Sequence, residues 1–145
     1  LEKSKRNSGW SYIETLIVIA IILILTATVG FMAINSLEKS KVAAAKTQID
    51  SFSIALEAYF IDCGTYPTEE QGLSALRTKP VIEPVSAGWD GPYLYKDPPK
   101  DPWGNDYDYV LLNDGLNDFG IRSFGSDGKE GGEGKAKDIC SWENE

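Results

Sequence analysis

The run TLIVIAIILILTATVGFMAINSL, residues 15–37, decides how the rest of the chain must be read. It holds 23 consecutive residues without a charged side chain and is dense in Ile, Leu and Val. At 1.5 Å per residue it makes a helix of about 35 Å, enough to cross a hydrocarbon layer of about 30 Å. The alternative, a buried core helix of a soluble protein, needs a run that ordinary domains rarely contain. Lys3, Lys5 and Arg6 precede the run and Glu38 follows it. That asymmetry predicts a cytoplasmic N-terminus, with the remainder on the far side of the membrane. A removable secretory signal has an apolar stretch of only about 7–15 residues and a small-residue cleavage site. Here the run is longer, and the helical pattern continues without Pro or Gly from Phe31 to Cys63. An anchor that stays attached is expected.

The remaining composition narrows the function classes. The chain has 145 residues, a formal charge of −8, no His and two Cys. That charge opposes long-range attraction to nucleic-acid phosphates. Without imidazole there is no Ser-His-Asp triad and no His-ligated zinc, and two Cys are too few for a Cys-only zinc site.

Beyond the membrane run, Val42, Ala45, Ile49, Phe52, Leu56, Tyr59 and Cys63 recur at alternating spacings of three and four. They form one apolar helix face, so Trp10 to Cys63 can be a single helix about 80 Å long. A two-stranded coiled coil reads the same way. Gly64 then stops the helix and a compact segment follows, which favours packing against the chain's own sheet. Thr68-x-x-Gln71 is a capping box for a short second helix through Leu73 and Leu76. Residues 80–104, rich in Pro and Gly, read as irregular loop. Tyr107, Tyr109 and Leu111 alternate as a strand does, Asn113-Asp114-Gly115 makes a turn, and Phe119, Ile121 and Ser123 alternate on a second strand. The fold class is α+β: a long N-terminal helix on a small antiparallel sheet of about three strands.

Glu14 sits just inside the N-terminal edge of the apolar run. It is either an interfacial carboxylate reaching for headgroups, or one that pairs with a positive charge from a neighbouring copy. Gly9-Trp10-Ser11-Tyr12-Ile13-Glu14, after a basic leader and before an apolar helix, resembles a type IV pilin-like signal. The resemblance implies that a prepilin peptidase cuts between Gly9 and Trp10 and methylates the new N-terminus. Glu14 then becomes the fifth mature residue, where the family pairs a Glu with the terminal amine of an adjacent subunit. Trp10 departs from the family's usual Phe, and Gly30 stands where relatives usually carry Pro, so local melting of the helix there fits the pattern. The implied organisation is leader 1–9, membrane and assembly half-helix 10–37, amphipathic half-helix 38–64, and globular domain 65–145.

Three later stretches sharpen the resemblance: Tyr66-Pro67-Thr68-Glu69-Glu70-Gln71-Gly72-Leu73-Ser74-Ala75-Leu76, Asp101-Pro102-Trp103-Gly104, and Phe124-Gly125-Ser126-Asp127-Gly128 with Gly131-Gly132-Glu133-Gly134 and Asp138-Ile139. Together they are similar to the major pseudopilin family of the type II secretion system. This implies a structural, non-catalytic subunit of a periplasmic filament that drives folded proteins across the outer membrane. It also implies as partners further copies of the chain, minor pseudopilins, the prepilin peptidase, inner-membrane lipids, and an inner-membrane assembly platform with its ATPase. Two rivals remain: a type IV pilus subunit, and a monomeric membrane-tethered calcium-binding module.

Residues 125–138 combine five Gly with Asp127, Glu130, Glu133 and Asp138. Calcium takes six to eight oxygens, mixing carboxylates and carbonyls, and glycines let a loop fold tightly enough to turn carbonyls inward. EF-hand and P-loop spacings are both absent. On composition the loop is either a calcium site or a mobile acidic hairpin. The pseudopilin resemblance implies calcium, with carboxylates from Asp127 and Asp138 and backbone carbonyls near Phe124, Lys129 and Glu133. Cys63 and Cys140, both outside the membrane, either form a disulfide across a 77-residue loop or remain separate buried thiols.

Overall fold

A computed structural model of the chain describes residues 11–112 and 118–143. The Gly9–Trp10 boundary and the Asn113-Asp114-Gly115 turn lie outside the described residues. Helix α1 spans Tyr12–Cys63 and stays helical through Gly30, the single glycine in that span. It ends where the sequence demands: Gly64 takes φ +73° and donates its N–H to the Phe60 carbonyl at 2.8 Å.

The chain divides into two compact units, Leu1–Leu37 and Glu38–Glu145. The division falls where the uncharged run ends. In the second unit, Ala45, Ile49, Phe52, Leu56 and Tyr59 are buried, and Val42 and Cys63 flank them half-buried. The seven-residue stripe is therefore a core face, and Ala55 joins it. Against it pack Leu73, Ala75 and Leu76 and, from the sheet, Tyr109, Ile121 and Ile139. The stripe serves the chain's own core, not a coiled coil.

The sheet has three antiparallel strands in the order β1 (Asp108–Leu111), β2 (Phe119–Ser123) and β3 (Ile139–Cys140). Tyr109 lies opposite Ile121, and Ser123 opposite Ile139. Because successive strand residues point to opposite faces, these four form the buried face while Asp108, Arg122 and Cys140 share the other. Phe52 meets Tyr107 edge-on at 5.1 Å, and Tyr59 meets Tyr93 at 5.5 Å. Such aromatic pairs add to what their burial alone contributes.

The capping box closes in both directions. Gln71 N–H donates to Thr68 Oγ1 at 3.2 Å, and Thr68 N–H donates to Gln71 Oε1 at 3.1 Å. The helix expected after it is nonetheless only a 3₁₀ turn, Leu73–Leu76. Gly72 separates box from turn, at φ +57°, a conformation no α-helix contains. Residues 80–104 are irregular, as their Pro and Gly content predicts, but they are tied down. Gln71 Nε2 donates to the carbonyls of Ile82 and Pro84, Trp89 Nε1 to that of Ala75, and the N–H groups of Tyr93 and Leu94 to that of Leu76.

Candidate functional site

Every described side chain from Ser11 to Ile34 is exposed, on all sides of α1. Glu14 lies in the first turn of the helix, between exposed Ile13 and Leu16. The hydroxyls of Thr26 and Thr28 donate back to the carbonyls of Ile22 and Leu25, at 2.7 and 2.9 Å, which satisfies them without water. Burying one Leu, Ile or Val side chain is worth about 1.5–3 kcal/mol. For a run this dense the sum reaches tens of kcal/mol, more than the roughly 5–15 kcal/mol that holds a domain together. Water is thus the wrong solvent for this segment. It requires lipid, or other helices like itself.

The C-terminal loop owes its shape to its glycines. Gly125, Gly128, Gly131, Gly132 and Gly134 all have φ between +61° and +94°. The chain folds back so closely that a Cβ on Gly132 would lie 2.4 Å from the Ala136 carbonyl oxygen. Asp138, after the loop, accepts the Gly131 N–H at 2.9 Å through Oδ2. Its Oδ1 is buried and has no partner among the described residues. A buried carboxylate oxygen without a donor is costly, and a cation at that atom would relieve the cost. Asp127 is exposed and closes a local turn, its Oδ1 accepting the Lys129 N–H at 3.1 Å. Glu130 is taken by Arg122, whose Nη1 donates to it at 2.7 Å, and Glu133 is exposed. Among the described residues no three acidic side chains or thiols converge as a metal cluster. A cation here would be held by Asp127, Asp138 and backbone carbonyls, the donor mix that suits a hard ion.

Two supports of this loop escaped the sequence reading. Asp101 is 4% exposed, yet its carboxylate accepts the N–H groups of Trp103 and Asn105, at 3.0 and 2.8 Å, and the Ser123 hydroxyl at 2.6 Å. Asn105 Nδ2 then donates to the Gly125 carbonyl at 3.2 Å. The Asp-Pro-Trp-Gly turn thus braces both β2 and the start of the glycine loop. Arg122 is the second support. It bridges Asp108 and Glu130 at 2.7 Å each and lies over the Phe124 ring. The Glu130 hydrogen bond, then Asp108, raises its already high pKa. The turn chemistry of Asp101 was visible in the sequence; its distant partner Ser123 was not.

Of the two alternatives for Cys63 and Cys140, the structure has the separate thiols. Cys63 sits at the end of α1, beside the core, whereas Cys140 pairs with Arg122 on the opposite face of the sheet. Burial pushes the Cys140 thiol up from 9.0 to about 11, with Glu143 and Asp138 adding to the effect. About a hundredfold less thiolate is then present at neutral pH. Cys140 should alkylate far more slowly than glutathione at pH 7.5, and speed up as pH rises towards 11 or when the chain unfolds. Rapid labelling of native protein at pH 7.5, located by peptide mass mapping, would contradict this.

With the geometry established, comparison with known proteins is informative. Residues 32–142 match the family model described as type II secretion system (T2SS), protein G. The chain is 38% identical to the type II secretion system core protein G of Pseudomonas aeruginosa, covering 97% of this chain and 98% of that protein. It is 37% identical to the Vibrio cholerae core protein G, covering 98% and 96%. Its fold is similar to the crystal structure of the major pseudopilin from the type 2 secretion system of enterohaemorrhagic Escherichia coli, with a TM-score of 0.64 and 32% identity over 75% of this chain and 92% of that one.

Proposed function

The chain belongs to the type II secretion system protein G family, and from that premise we propose that it is a major pseudopilin, a structural subunit of the secretion filament. The observation that carries this reading is the apolar helix exposed on every side, joined to a compact acidic unit with a core of its own. One half needs lipid or sister helices; the other is built for water. The polypeptide is made with its helix in the inner membrane and its Glu38–Glu145 unit in the periplasm. Cleavage between Gly9 and Trp10, with methylation of Trp10, frees an amine that Glu14 of the next subunit neutralises. Helices then move from lipid into a bundle with one another and with minor pseudopilins, driven by the assembly platform and its ATPase. The subunit itself does no catalysis. Crosslinking between cysteines placed in the residue 15–37 helices of different copies, in native membranes, tests the proposal. Crosslinked ladders support a polymer, and a chain that stays monomeric at physiological expression levels refutes it.

Calcium binding by the C-terminal loop is part of the same proposal, supported by an Asp138 Oδ1 without a partner among the described residues and by the glycine-built backbone. A ligand present at ten times its Kd stabilises by about 1.4 kcal/mol, or about 7 °C in a unit of this size. Chelation should lower Tm by about that amount in wild type and have little effect in Asp138→Ala. Equal shifts in both proteins would remove Asp138 from the site.

A further inference from the structure

Trp103 occupies a distinctive place. The fold brings it across 65 residues of sequence to α1, where its indole Nε1 donates to Glu38 Oε2 at 3.2 Å. Glu38 is the first charged residue after the uncharged run. Lys41 Nζ lies 6.0 Å from the centre of the same ring and 3.9 Å from Glu38 Oε1. Part of the ring remains exposed. We infer that this edge of the Glu38–Glu145 unit, where Trp103 and Lys41 meet at Glu38 and Lys39 follows in the same helical turn, is a contact surface for anionic phospholipid headgroups. The inference rests on the membrane-anchored reading of residues 15–37.

Three observations converge on a lipid surface as the occupant. The first is continuity: a ring bonded to Glu38 stands where the chain emerges from hydrocarbon. The second is the chemistry of the ring. Indoles collect at membrane interfaces because one end is apolar and the other carries a polar N–H. Asp101 holds the turn that presents it by accepting the Trp103 N–H. The third is charge. The whole chain carries −8, yet from Glu38 to Lys46 the helix has three lysines and one carboxylate. Lys100, three residues before Trp103, is ion-paired with Asp106 at 3.6 Å and adds no net charge, so the basic character comes from the start of the helix. Lysines such as these reach headgroup phosphates while their stems lie on apolar surface.

The test uses the full chain reconstituted into phosphatidylethanolamine–phosphatidylglycerol vesicles whose acyl chains are brominated near the headgroups. Subtracting the tryptophan emission of Trp103→Phe from that of wild type isolates Trp103. Trp103→Tyr serves as the subtracting variant if the Phe form is unfolded by circular dichroism. The Trp103 signal should fall by at least half in brominated vesicles, and Lys39→Glu with Lys41→Glu should restore most of it. A signal that ignores bromine overturns the inference, as does one that instead varies with protein density, which marks a contact with a second copy. Trp10 borders the apolar run and is the remaining tryptophan once Trp89, Trp103 and Trp142 are each replaced by Phe, so its quenching in that triple variant reports insertion. If Trp10 is quenched and Trp103 is not, only the inference fails; if neither is quenched, the membrane-anchored reading fails with it.

Discussion

Asp101→Ala should lower the stability of the Glu38–Glu145 unit by about 3 kcal/mol and its Tm by about 15 °C. The carboxylate is buried and accepts three hydrogen bonds, from two backbone N–H groups and one hydroxyl. Hydrogen bonds to a charged group contribute about 1.5–3 kcal/mol each, against several kcal/mol for removing the charge from water. Truncation to Ala also leaves the part-buried Trp103 and Asn105 N–H groups without their acceptor. Asp101→Asn tests the argument more finely. Its carbonyl can still serve the two N–H groups, and the Ser123 hydroxyl can rotate to accept from the new amide, so the loss should be about 1 kcal/mol. Urea unfolding of the detergent-solubilised chain, followed by tryptophan fluorescence, reads both variants. Equal losses for Ala and Asn would mean that the charge is the whole effect; a loss under 1 kcal/mol for Ala would show that the network carries little. Because Asn105 joins this turn to Gly125, Asp101→Ala should also weaken any cation binding by the glycine loop.

Asp101 also marks the boundary of what the sequence makes legible. A helix face that must be buried announces itself by spacing, which put Ala45, Ile49, Phe52, Leu56 and Tyr59 on one buried face, while Gly64 and the compact segment after it assigned that face to the chain's own core. Alternation did the same for Tyr109 and Ile121. Strand β3, only two residues long, is too short to carry a period. The Thr68–Gln71 box was readable because its partners are three residues apart, but the φ of Gly72 decided what followed it. Asp101 and Ser123 are polar, and polar residues read as exposed until the fold brings their partners together. The cysteines stayed open for a related reason: their spacing gives the size of a loop and not the sheet face on which each thiol lies. In the glycine loop, composition and resemblance named Asp127 and Asp138, while the engagement of Glu130 by Arg122 depended on three-dimensional pairing.

The second large effect is expected at the other end of the molecule. On the proposed pairing of Glu14 with the next subunit's amine, Glu14→Ala should reduce filament assembly on the order of a hundredfold, because breaking one partner of a buried ion pair leaves the other charge uncompensated in an apolar bundle. The direction can be separated from a trivial defect in membrane insertion. Removing a carboxylate from the edge of an apolar helix makes that helix easier to insert, so lost assembly in Ala cannot be blamed on poor anchoring. Nor can it be blamed on unfolding. Glu14 belongs to the Leu1–Leu37 unit, and the core of the second unit draws nothing from it, so the melting of Glu38–Glu145 should be unchanged. Glu14→Gln keeps an acceptor but loses the charge, and should fall between Ala and wild type. Filament yield, measured by shearing and sedimentation with membrane-inserted amounts held equal, orders the three. Wild-type yields from Glu14→Ala would mean that the exposed apolar surface assembles without charge pairing, and that burial of the run sets both affinity and register.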